Sequence, residues 1–102
     1  MNTVIDIISR KGAVKQSIIA PGNASLVVYQ PSVLQVHSPV SGVDHYVRQG
    51  NDLLIYMKDG TVIRCNGYFA VDPATKEYSE LVFDDGQTLT HVSFAGIAKL
   101  RG

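Results

Sequence analysis

The chain has 102 residues, nine Lys and Arg, nine Asp and Glu, and a formal net charge of zero. A chain of this length is expected to form a single domain, over residues 1–102, with a hydrophobic core of its own. Balanced charge argues against strong electrostatic binding to nucleic acid or to an anionic membrane. No apolar run approaches the ~20 residues that a membrane-spanning helix needs.

The first predicted element is a strand over residues 3–9, followed by a turn at residues 10–12. Asp6 interrupts the only apolar stretch near the start, and no basic side chain precedes it. Residues 1–10 therefore do not have the pattern of a cleavable signal peptide. We expect a protein that either stays in the cytosol or is exported by a route that reads a signal elsewhere.

Short runs of β-branched and apolar residues, separated by turn residues, continue along the chain without the periodicity and caps of a helix. Further strands are predicted at residues 13–19, 25–29, 32–37, 43–49, 52–58, 61–66, 78–83 and 88–94. Turns or loops are expected at residues 21–23, 38–42 and 72–76, and Pro31 marks an edge or a bend. The pattern predicts an all-β fold, a small sandwich or partly open barrel of about eight mostly antiparallel strands joined by hairpins.

The strongest hairpin signal is Asp59-Gly60, which separates two apolar runs. A two-residue type I′ turn there places Met57 opposite Val62. In that register one face carries Leu54, Tyr56, Ile63 and Cys65, and the other carries Leu53, Ile55, Met57 and Val62. Two apolar faces indicate a central hairpin, either enclosed within the domain or with one face against a neighbouring domain or a second copy.

A second predicted hairpin turns at Asp84-Asp85-Gly86, with Gly86 in a left-handed position. Two carboxylates on a tight turn also suit Ca²⁺, although the alternating ligands and closing Glu of an EF-hand are missing. A turn that is simply enriched in Asp is the plainer interpretation.

The sequence contains no recognisable catalytic constellation. The histidines His37, His45 and His91 lack metal-ligand spacing, and Asp44 and His45 are expected to point to opposite faces of a strand. Cys65 is the only cysteine, so we expect a buried, inert thiol. We predict no catalytic residue, no metal and no cofactor.

Aromatic residues interleaved with arginines favour one alternative function. In a stand-alone barrel that binds a ligand or single-stranded nucleic acid, Tyr46, Arg48, Tyr56 and Arg64 should converge on one open face. The zero net charge and the usual role of aromatics in cores weigh against a nucleic-acid partner.

The order of several short motifs is similar to a known family. They are Pro31-Ser32-Val33-Leu34-Gln35-Val36, residues 43–48, Gln49-Gly50-Asn51-Asp52-Leu53-Leu54-Ile55, Lys58-Asp59-Gly60, Gly67-Tyr68-Phe69 and Ser79-Glu80-Leu81-Val82-Phe83-Asp84-Asp85. Together, over about residues 3–95, they resemble the BapA prefix-like domain at the N-terminus of giant bacterial biofilm-associated adhesins. In two places the chain departs from the pattern. Gly67 separates Asn66 from the aromatic pair, and Asp84 replaces the usual Glu.

The resemblance implies a non-enzymatic N-terminal module of a longer surface adhesin. It also implies type I secretion without an N-terminal signal peptide, and a location near the outer membrane where the domain helps retain the adhesin. Neighbouring adhesin domains and the outer-membrane channel of the exporter are the expected partners, with a homodimer as an alternative. The predicted contact face comprises Leu53, Ile55, Met57, Val62, Tyr46, Arg48, Tyr56 and Arg64.

Overall fold

The structure is a computed structural model that describes residues 3–9, 15–20, 22–28, 31–71, 73–74, 76 and 78–92. Within these residues the chain forms nine β-strands and one short 3₁₀ turn, Val40–Gly42. The strands are β1 (Thr3–Ser9), β2 (Lys15–Ala20), β3 (Ala24–Val27), β4 (Ser32–Val36), β5 (Val43–Gln49), β6 (Asp52–Met57), β7 (Val62–Asn66), β8 (Glu80–Asp84) and β9 (Leu89–Val92).

The strands form two sheets, a five-stranded sheet in the order β2-β1-β4-β8-β9 and a four-stranded sheet in the order β3-β7-β6-β5. Five of the seven strand pairs are antiparallel, whereas β3–β7 and β4–β8 are parallel. The predicted all-β sandwich is confirmed, and the described strands do not close into a barrel. Both parallel pairs were missed, because they join strands that are far apart in the sequence.

Side chains from the two sheets meet in one hydrophobic core. Alternate residues of a strand point to opposite faces, and in β4 this places Leu34 and Val36 in the core. The largest side chains with less than 2% exposure are Phe83, Ile5, Leu34, Leu53, Ile55, Ile63, Leu81, Val36 and Cys65. They come from both sheets, so the inner face of each sheet is covered by the other.

Strand boundaries agree well with the predictions where the structure describes them. β1 and β5 have the predicted bounds, and β4, β6 and β7 are one residue shorter at one end. β8 begins two residues later than expected. The predicted turn at residues 10–12, Pro21, the start of the second strand and the end of the last one lie outside the described residues.

The predicted register of β6 and β7 is wrong by one residue. Ile55 pairs with Ile63, and the N–H of Met57 donates to the carbonyl of Thr61 at 2.8 Å. The loop therefore has three residues, 58–60, instead of two. Only Gly60 adopts a positive φ there, of +94°, while the Asp59 carboxylate accepts the N–H of Thr61 at 2.9 Å. Three-residue hairpin loops with a left-handed glycine have this arrangement.

A one-residue shift changes which side chains share a face. Ile63 and Cys65 lie with Leu53 and Ile55 on the inner face, where each is at most 1% exposed. The outer face carries Leu54, Tyr56, Val62 and Arg64. The hairpin therefore has one apolar inner face and one mixed outer face, instead of the two apolar faces that were predicted.

Gly67 allows β3 to lie close to the end of β7. Its φ is +83°, and a Cβ at this position would lie 2.8 Å from the carbonyl oxygen of Val28. The Val28 N–H donates to the carbonyl of Asn66 at 2.8 Å, and the Gly67 N–H donates to Oδ1 of Asp52 at 2.9 Å. Both the backbone angle and the contact favour glycine here.

Candidate functional site

The structure divides the eight residues of the predicted contact face between two sides of the four-stranded sheet. Opposite partners in a ladder share a face, so the pairs Tyr46–Ile55 and Arg48–Leu53 lie on the inner side. The residues on this inner side are Leu53, Ile55, Met57, Tyr46 and Arg48. The residues on the outer side are Tyr56, Val62 and Arg64. The eight residues therefore do not form one surface.

The inner group belongs to the core and its rim. Leu53 and Ile55 are fully buried, and Tyr46 packs against the core, where burial raises the pKa of its hydroxyl. At the rim, the guanidinium of Arg48 lies 4.6 Å from the ring centre of Phe69 and donates through Nε to a backbone carbonyl. A cation over an aromatic face is a stabilising contact within the domain.

The outer group joins further side chains in a surface that we call the outer patch: His45, Val47, Leu54, Tyr56, Val62 and Arg64. Tyr56 pairs with His45 across the ladder, and their rings are stacked with centroids 4.5 Å apart and planes 8° apart. Stacking holds both rings in one orientation. Three of the eight residues of the predicted contact face, Tyr56, Val62 and Arg64, therefore belong to the outer patch.

A β-bulge in β5 brings together Asp44 and His45, which were predicted to point to opposite faces of the strand. The register shifts between Val43 and His45, so Asp44 is an extra residue in its strand. Strict alternation fails at this point, and Oδ2 of Asp44 lies 2.6 Å from Nδ1 of His45. The carboxylate thereby orients the imidazole that stacks on Tyr56.

Arg64, a member of the outer patch, is the centre of a polar network. Its guanidinium donates to Oδ1 of Asn66 at 2.9 Å, to Oε1 of Gln49 at 3.2 Å and to Oδ2 of Asp52 at 2.6 Å. The amide of Asn66 in turn donates to the hydroxyl of Ser25 and to a β3 carbonyl. The network links all four strands of the sheet.

This network has two physical consequences. The pKa of Asp52 is lowered, first by the backbone N–H of Gly67 and then by Arg64, so this carboxylate is charged at neutral pH. Leu54 lies opposite Arg64 on the outer face and is only 7% exposed. Long polar side chains cover apolar surface with their stems, so side chains of its own sheet contribute to the burial of Leu54.

The four residues that a nucleic-acid-binding face requires do not converge. Tyr46 and Arg48 lie on the inner side, whereas Tyr56 and Arg64 lie on the outer side. This geometry gives no support to the alternative of a stand-alone barrel that stacks bases on these aromatics.

A second polar cluster, which the sequence analysis missed, lies on the outer face of the five-stranded sheet. Asp6 is 5% exposed, accepts the hydroxyl proton of Ser17 at 2.6 Å and lies 2.8 Å from Nε2 of His37. Lys15 is 3.5 Å from the same carboxylate. The Ser17 hydrogen bond and then that of His37 lower the pKa of Asp6. Because Ser17 donates to Asp6 and not to His37, this is not the arrangement of a Ser–His–Asp triad.

The carboxylates of the second hairpin stabilise its turn. Asp84 accepts the N–H of Gly86 at 2.8 Å, and Asp85 accepts those of Gln87 and Thr88 at 2.8 and 2.7 Å, which lowers the pKa of Asp85. Gly86 has the predicted left-handed φ, +94°. Across the described residues no group of three His, Cys, Asp or Glu side chains is arranged to hold a metal ion.

Cys65 is buried in the core, as predicted. It is 1% exposed, and burial raises the pKa of its thiol to about 12. A thiol rather than a thiolate is therefore present at neutral pH, which makes this cysteine a poor nucleophile.

Among the described residues, no helix is long and apolar enough to cross a membrane.

Comparisons with known proteins assign the chain to a family. The family described as BapA, prefix-like domain, matches residues 2–101. Neither the comparison with curated proteins nor that with solved structures finds a match. The family match spans essentially the whole chain and includes every motif of the resemblance. This chain therefore belongs to the BapA prefix-like domain family, the structural N-terminal modules of biofilm-associated adhesins.

Proposed function

We propose that this chain is the non-enzymatic N-terminal module of a large bacterial surface adhesin that acts in cell adhesion and biofilm formation. The family match over residues 2–101 is the observation that carries this proposal. The module folds at the cell envelope and helps to retain the adhesin at the outer membrane. The parent protein is secreted by a type I system.

The size and packing of the fold are suited to retention. The two sheets share one core, and the molecule measures 39 × 32 × 23 Å along its principal axes. A folded body of this size presents a rigid surface that can be held at the channel by specific contacts, whereas an unfolded chain presents none. Retention by this route depends on the folded state, so it should fail in variants that unfold.

We assign the contacts with neighbouring adhesin domains or with the outer-membrane channel of the exporter to the outer patch. It combines the stacked rings of Tyr56 and His45 with a guanidinium that is already held in place. Tyr and Arg dominate the binding energy of many protein interfaces, above all where their side chains are preorganised. A second copy of the chain is the alternative partner.

The test uses cells that carry the full-length gene with residues 3–95 deleted. Adhesin is then measured on the cell surface and in the medium. Retention predicts that the protein moves to the medium, and a normal amount on the cells would contradict it.

A point variant tests whether the domain must be folded, or only present in the chain, to retain the adhesin. Ile55→Asp introduces a carboxylate at a fully buried position and should unfold the domain. If the folded state retains the adhesin, this variant should behave like the deletion. A matched substitution at an exposed strand residue, Leu89→Asp, should leave the adhesin on the cells.

A further inference from the structure

The four edge strands of the two sheets differ in how well they are protected against pairing with another strand. β5 is interrupted by the bulge at Asp44, and β3 and β9 have only four residues each. β2 has six residues in uninterrupted register with β1 and contains neither proline nor glycine. Bulges, short length and charged side chains usually protect an edge strand. β2 has no bulge and is the longest uninterrupted edge strand, so neither of the first two protections applies to it.

Charge protects β2 only at its first residue. Lys15, at the start of the strand, is its only charged residue and lies 3.5 Å from the Asp6 carboxylate. Ile19 is 64% exposed, the highest value among the exposed large hydrophobic residues that the structure describes. Within the described part of the chain, β2 pairs with β1 alone, at one end of the sheet. Such an edge is a template for a further strand.

We propose that β2 is a strand-addition edge and that its occupant is β2 of a second copy of this chain. The two strands pair antiparallel about a two-fold axis and join two five-stranded sheets into one. With the axis at Ile18, Ile19 of each copy lies opposite Ser17 of the other, since opposite partners share a face. The exposed side chain of Ile19 thereby gains a cross-strand neighbour on the outer face of the joined sheet.

Electrostatics favour a second copy as the occupant. Antiparallel self-pairing about Ile18 places the two Lys15 side chains at opposite ends of the ladder, so no like charges face each other. The chain has a formal net charge of zero, so two copies do not repel each other at long range. The contact is a single ladder, smaller than the ~1,200 Å² of a stable interface, so we expect a dissociation constant between about 10 μM and 1 mM. This association does not depend on the adhesin role.

The test is sedimentation velocity of the 102-residue chain between about 10 μM and 1 mM, the range in which so small an interface associates. Ile19→Lys adds a second cation to the edge, the usual means of blocking strand addition. Its control is Leu89→Lys, since Leu89 is 58% exposed on the opposite edge of the same sheet. The proposal predicts a concentration-dependent dimer that Ile19→Lys weakens at least about 10-fold and that Leu89→Lys leaves unchanged.

Two results would overturn the proposal. One is a monomer over the whole concentration range, and the other is a dimer on which Ile19→Lys has no effect. Hydrogen exchange provides a second readout that does not rely on a variant. Amides of β2 should exchange more slowly at high than at low protein concentration, and equal rates at both concentrations in a dimeric sample would also exclude this edge.

Discussion

The two faces of β6 show two different ways of burying a strand. Leu53 and Ile55 point inward and are fully buried by the opposite sheet. Leu54 and Tyr56 point outward, where Leu54 is 7% exposed without lying in the core between the sheets. The inner face is complementary to another sheet, whereas the outer face presents fixed polar and aromatic groups. We therefore assign stability to the inner face and contacts to the outer face.

Ile55→Ala should have the largest effect on stability, because it leaves a cavity in the middle of the inner face. Ile55 is 0% exposed, and such truncations cost about 2–5 kcal/mol. Chemical denaturation at neutral pH measures the change in unfolding free energy. A loss below about 1 kcal/mol would show that the inner face is not the tightly packed core described above.

Gly67→Ala tests the close approach of β3 to β7. The new Cβ would lie 2.8 Å from a backbone oxygen, at a φ of +83°, so we expect a loss of about 1–3 kcal/mol. Gly22→Ala is the matched control, since nothing lies within 4 Å of a Cβ there. Thermal denaturation should show a clear decrease in Tm for the first variant only, and equal Tm values would contradict the contact.

Asp6→Asn tests the polar cluster of the other sheet through its pH dependence. The pKa of Asp6 is lowered from its ordinary value of 3.8, so its stabilisation is present above pH 3.8 and is lost as pH falls through the lower folded-state pKa. The variant should lose about 1–2 kcal/mol at pH 7 and progressively less as the pH falls below 3.8. Asp44→Asn, at an exposed carboxylate, is the control. If the unfolding free energy of Asp6→Asn falls with acidification as steeply as that of the wild type, this role of Asp6 is contradicted.

Tyr56→Ala should have the smallest effect on stability, although its neighbour Ile55 has the largest. Tyr56 is half-buried and its main contact is the stack on His45, so we expect a loss of no more than about 1 kcal/mol. The same denaturation experiment applies to both variants. A loss as large as that of Ile55→Ala would show that the outer patch is part of the core.

Local sequence signals located most of the strands correctly. The alternation of apolar residues between turn residues predicted the observed limits of β1 and β5. Gly86 was placed correctly in a left-handed conformation, because glycine is the residue of Asp-Asp-Gly that adopts a positive φ most readily. The motif order predicted the family that the comparison then confirmed.

The errors arose where one extra residue changes the alternation. Asp59-Gly60 is compatible with loops of two or three residues, and the longer loop moved Ile63 and Cys65 to the inner face. The bulge at Asp44 has no clear sequence signal, and it brought the carboxylate to His45. The Asp6 cluster joins residues that are 11 and 31 positions apart, which no local pattern reveals.

The most direct test of the division between the two faces uses the full-length adhesin with Tyr56→Glu and Val62→Glu. Both residues lie on the outer patch and outside the core, so the domain should remain folded, with a decrease in Tm of no more than about 15 °C. We predict that the folded variant moves from the cell surface to the medium. If it stays on the cells in the wild-type amount while the domain remains folded, the outer patch is not the contact face.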